Sequence, residues 1–75
     1  MNNHLKLKDM TPQQMRDEAK RVEGTLSTLQ GDEQKKAKRL IAHLMYQADF
    51  KESGGLNREQ QKAAGWAPGQ PAVAN

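Results

Sequence analysis

Apolar residues recur at Met15, Ala19, Val22, Leu26 and Leu29, in steps of 4, 3, 4 and 3. This is a narrow seam of the coiled-coil kind, and it predicts a helix over about 12–30. The start of that helix is written in Met10-Thr11-Pro12-Gln13-Gln14-Met15. Thr11 can cap the first N–H groups, and Pro12 stands where a missing N–H costs nothing. Gln14 can reach back to complete a capping box, with Met10 and Met15 at the spacing of a hydrophobic staple.

A second apolar stripe follows at Ala37, Leu40, Ile41, Leu44, Met45 and Ala48. It covers an arc of about 140°, against about 80° for the first seam. It predicts a helix over about 33–52, ended by Ser53-Gly54-Gly55. Between the two, Gly31 is a natural stop, Asp32 a cap, and Glu33 complements the dipole of the second helix. So short a connection implies antiparallel neighbours, and hence an all-α helical hairpin. Folding about Gly31–Asp32 sets Leu26 against Ala37, Val22 against Ile41, Ala19 against Leu44 and Met15 against Ala48. Three of the four pairs match a large residue with a small one, which favours interdigitation. A short third helix is expected over about 58–64, capped by Asn57 and stopped by Gly65. The predicted organisation is a flexible arm (1–9), a hairpin domain (10–53), a weak helical segment (54–66) and a disordered tail (67–75).

Composition limits what this hairpin can be. Only 35% of the 75 residues are hydrophobic and the mean hydropathy is -1.01, so a monomer core is marginal. The wide second stripe exceeds what the first seam covers. Two hairpins meeting through Leu40 and Met45 would form a homodimeric four-helix bundle; a tail folded over the excess is the competing solution. No cysteine is present, which fits a reducing cytosol. No apolar run approaches the ~20 residues of a membrane span, and the first nine residues lack the apolar centre of a secretory signal. A cytoplasmic location without membrane association is expected.

Net charge is +3 with a pI near 9.5, spread along the chain. The one dense run is Lys35-Lys36-Ala37-Lys38-Arg39. It reads as a solvated helix face or, more sharply, as a phosphate-contacting patch. Catalytic chemistry finds no footing. His4 and His43 are far apart, and His43 has no carboxylate or histidine at helical ligand spacing, so no metal is expected. Asp17, Glu18 and Asp49 read as exposed members of helix ion pairs, Asp17 with Arg21 at i,i+4. No glycine loop for phosphate is present, so no cofactor and no enzyme activity are expected. A helix-turn-helix reader would need a bend, and Gly24 reads instead as a surface glycine within the first helix.

The informative surface signal is a second stripe, Arg39, His43, Tyr46 and Phe50, spaced 4, 3 and 4. It lies opposite the apolar seam and holds the chain's only Tyr and Phe. Leu5, Leu7, Leu56 or Trp66 could cover it as a third layer; left bare, it suits a partner protein or single-stranded nucleic acid. Trp66, in Gly65-Trp66-Ala67-Pro68-Gly69, either packs back or anchors a linear motif.

The apolar seam and the turn Asp32-Glu33-Gln34 resemble the Rop-like plasmid RNA-binding proteins. That resemblance implies two paired hairpins, with RNA contacts made from the first helix and including an aromatic residue. Here the first helix carries no aromatic residue. The expected function is therefore a non-enzymatic regulator, adaptor or inhibitor that docks onto a larger protein through Arg39, His43, Tyr46 and Phe50, with Trp66 as a further anchor. The alternative is an RNA or single-stranded DNA module using Lys35, Lys36, Lys38 and Arg39.

Overall fold

The structure, a computed structural model, describes residues 9–73. The expected arm lies outside the described residues except for Asp9, and so do Leu5 and Leu7. The described chain is all-α: helix α1 (Pro12–Glu23), a 3-10 turn (Leu26–Thr28), α2 (Asp32–Glu52) and α3 (Arg58–Ala64). Helices α1 and α2 pack as a hairpin, and α3 turns off the end of α2.

The capping box forms as the sequence prescribes. Thr11 Oγ1 accepts from the Gln14 N–H at 3.1 Å, and Gln14 Oε1 accepts from the Thr11 N–H at 2.8 Å. Met15, Ala19, Leu44 and Ala48 form the core cluster, with Met10 and Ile41 packed against it. All four belong to the two predicted pairs farthest from the turn, Met15 with Ala48 and Ala19 with Leu44.

Helix α1 is shorter than expected. It stops at Glu23, where the Gly24 N–H bonds the Lys20 carbonyl and the Thr25 N–H bonds the Val22 carbonyl, each at 3.0 Å. The cause is local. The Thr25 hydroxyl donates to the Val22 carbonyl and the Thr28 hydroxyl to the Thr25 carbonyl, each at 2.7 Å. Such side-chain bonds compete with helix continuation, and Gly24 weakens it further. The chain tightens into the 3-10 turn and leaves it extended at Leu29. Gly31, at φ 60°, then occupies the cap position, so Asp32 is the first residue of α2 rather than its cap. The Gln34 amide donates to the Leu26 carbonyl at 3.1 Å and ties the connection to α2.

Two assembly expectations are corrected. The described chain is a three-helix domain, neither a coiled coil nor a four-helix bundle. With only 12 residues, α1 is under two heptads long, too short for sustained knobs-into-holes packing. Val22, Leu26 and Leu29 are only half-buried. Leu40 and Met45 remain exposed at opposite edges of α2, 43% and 38% accessible.

Beyond α2, Gly54 and Gly55 take φ of 91° and 99°, a reversal that residues with a Cβ resist. Ser53 is fully buried at this corner: its hydroxyl donates to the Phe50 carbonyl at 3.0 Å and accepts from the Leu56 N–H at 3.2 Å. Helix α3 has its own capping box, Asn57 with Gln60, and ends at left-handed Gly65. Residues 67–73 return towards the corner. The Gly69 N–H donates to Glu52 Oε1 at 3.1 Å and the Val73 N–H to the Ser53 carbonyl at 3.2 Å.

Candidate functional site

The outer face of α2 follows from helical geometry. The inner stripe buries Ala37, Leu44 and Ala48, which turns Arg39, His43, Tyr46 and Phe50 away from α1. Arg39, His43 and Phe50 are exposed, and Tyr46 is half-buried. The Tyr46 and Phe50 rings stack with centroids 6.2 Å apart and planes 28° from parallel. Phe50 remains 37% accessible. From the start of α3, the Arg58 guanidinium lies 5.3 Å above the Tyr46 ring. Lys35, Lys36 and Lys38 are also exposed on α2.

Trp66 stands outside this exposed cluster. It is buried, and its indole N–H donates to the Pro71 carbonyl at 3.1 Å. Its backbone N–H bonds the Gln61 carbonyl at 2.9 Å.

Beneath the face runs a network of charges. Asp49, expected in an exposed ion pair, is buried and bridges two arginines from different helices. Its Oδ1 accepts from Arg16 at 2.8 Å and its Oδ2 from Arg58 at 2.5 Å. Arg16 also grips both Glu52 oxygens, at 2.7 and 3.0 Å. Arg58 reaches Gln61 Oε1 at 3.3 Å, and the buried Gln61 amide donates to the Leu56 carbonyl at 2.8 Å. Arg58 is therefore the joint between the network and the face: one guanidinium serves Asp49 below and Tyr46 above. On α1 the expected Asp17–Arg21 pair is replaced by Glu18–Arg21 at i,i+3, while Asp17 accepts from the Gln13 amide at 2.8 Å.

The sequence reading missed this network, although two signals pointed to it. The register that pairs Met15 with Ala48 also brings Arg16 beside Asp49. Arg58 opens a helix, where the macrodipole disfavours a cation, a signal that a nearby carboxylate would be favourable without identifying which one.

The hydrogen bonds from Arg16, followed by the Gly69 N–H, hold the Glu52 carboxyl below its ordinary value of 4.5. The bond to Glu52 in turn raises the Arg16 guanidinium above its ordinary value. The sign for stability follows. The unfolded chain binds a proton at Glu52 more readily than the folded chain does. This contribution is complete above the unfolded value and is lost as pH falls through the lower folded value. Melting temperature is expected to hold from about pH 7 to about pH 5 and to fall below that. Glu52→Gln should show a shallower decline in the same acid titration followed by circular dichroism.

Among the described residues, no group of three His, Cys, Asp or Glu side chains is placed to hold a metal ion. No helix there is long and apolar enough to cross a membrane. The arrangement offers an aromatic and cationic surface held from below by ion pairs. No protein-family model, curated protein or solved structure matches the chain.

Proposed function

We propose that this is a small non-enzymatic protein that acts in the cytoplasm as a regulator, adaptor or inhibitor, docking onto a larger protein through the outer face of α2. The observation that carries this reading is the Tyr46–Phe50 stack, partly exposed and braced by Arg58. Aromatic and arginine side chains supply most of the energy at protein interfaces. Bracing matters because a pre-ordered anchor loses less conformational freedom on binding. Arg39 and His43 flank the pair along the helix and supply polar contacts at its rim.

A nucleic-acid reading has one observation in its favour, the exposed run Lys35, Lys36, Lys38 and Arg39. Salt separates the two readings. Phosphate binding weakens log-linearly and steeply with salt, whereas an aromatic anchor responds mildly. The test is affinity capture by the tagged full chain from lysate of its native cells, with and without nuclease, across a salt series. Docking predicts discrete protein partners that survive nuclease and moderate salt. Loss of all captured material on nuclease treatment would transfer the function to nucleic acid.

A further inference from the structure

From Gln34 to Ala48, α2 carries Lys35, Lys36, Lys38 and Arg39 and not one Asp or Glu. No carboxylate of the described residues pairs with these four cations. The carboxylates that follow are already engaged. Asp49 holds Arg16 and Arg58, and Glu52 holds Arg16 and the Gly69 N–H. These four cations thus have no ion-pair partner among the described residues, and the acidic residues nearest to them along α2, Asp32 and Glu33, stand in the first turn that precedes them.

That face also carries apolar side chains at the two ends of one strip. Leu40, His43, Gln47 and Phe50 follow at steps of 3, 4 and 3, so they line one strip of the helix surface. Leu40 and Phe50 at its two ends are both exposed, and Tyr46 lies beside it. From Lys35 to Phe50 the strip is about 22 Å long, roughly four helical turns.

We propose that the occupant of this face is an acidic amphipathic helix of the partner protein, its Asp and Glu side chains meeting Lys35, Lys36 and Arg39 and its apolar side chains meeting Leu40, Tyr46 and Phe50. This rests on the docking reading and names the chemistry of the partner. Charge complementarity selects acid, and two copies of the face would set like charges against each other. The aromatic geometry favours protein over nucleic acid. Tyr46 has Arg58 above its ring and Phe50 stacked beside it, so its π-face is already occupied where a base would stack. Exposed Leu40 suits an apolar side chain of a protein partner.

The test titrates the isotope-labelled full chain, followed by NMR, with four probes. The first is a synthetic helix of about 16 residues with leucines at i, i+3, i+4, i+7 spacing and glutamates beside them. The second replaces its glutamates by glutamine, the third its leucines by serine, and the fourth is a thymidine oligonucleotide. Expected is binding of the first about tenfold tighter than of the second or third, a difference of about 1.4 kcal/mol. Shifts should be confined to residues 35–50, and affinity should fall several-fold between about 50 and about 300 mM salt. Charge reversal at Lys35→Glu, Lys36→Glu and Arg39→Glu should abolish the preference for the acidic peptide while the circular dichroism spectrum is kept. Equal binding of the glutamine peptide overturns the acidic partner and leaves docking standing. Equal binding of the serine peptide removes the aromatic docking reading as well. Tightest binding of the oligonucleotide, or binding of none of the four, overturns the proposal.

Discussion

Arg16→Ala is expected to destabilise the fold by about 2–3 kcal/mol, at or just below the ~3–5 kcal/mol for breaking a fully buried ion pair, because Arg16 keeps an edge in solvent. For a domain of this size that is a fall of roughly 10–20 °C in Tm. The Asp49 side chain is only 5% accessible. Without Arg16 its remaining ionic partner is Arg58, whose own side chain is 54% accessible, and one buried carboxylate oxygen loses its donor. Glu52 loses both of its arginine bonds in the same step, which loosens the hold on the Gly69 N–H. Arg16→Lys should recover little, since an ammonium cannot reproduce the fork that spans two carboxylates. Arg21→Ala serves as the internal control. It removes an exposed pair on one helix, and such pairs contribute little. Thermal melts of the three variants at neutral pH check this ordering.

The second large effect is expected on binding. Tyr46→Ala together with Phe50→Ala should weaken partner capture at least about 30-fold, as loss of an interface hot spot does. The fold should survive, because neither ring belongs to the core cluster of Met15, Ala19, Leu44 and Ala48. The cost is the half-buried Tyr46 and its cation–π contact with Arg58, about 1–2 kcal/mol. Phe50→Ala with Arg39→Ala touches only exposed positions and separates binding from folding even if the first pair melts early. Capture that persists in both variants, with unfolding in the first, would make the aromatic pair structural.

What could be read from the chain divides by the range of the interaction. Caps, stops and seams are local, so Thr11, Gln14, Asn57 and Gly65 identify themselves, and α3 falls where its cap and stop place it. Met15, Ala19, Leu44 and Ala48 follow because the apolar stripes of two amphipathic helices must face each other, although the connection runs over 24–31 and is longer than the two or three residues the sequence suggests. The early end of α1 did not follow. The hydrophobic period continues through Leu26 and Leu29, while the hydroxyls of Thr25 and Thr28 and the glycine at 24 end the helix beneath it. At the site, periodicity placed Arg39, His43, Tyr46 and Phe50 on one face. It could not reveal the brace, because Arg58 reaches Asp49 and Tyr46 only after Gly54 and Gly55 reverse the chain. Long side chains that meet across a turn leave no periodic trace.

The most direct measurement is a photo-crosslink made inside the native cell. A photoreactive amino acid replaces His43, at the centre of the outer face, or Gln13, exposed on α1. The account predicts a discrete protein adduct from position 43, resistant to nuclease, and none from position 13. No adduct at 43, or the same adduct from both positions, would contradict it.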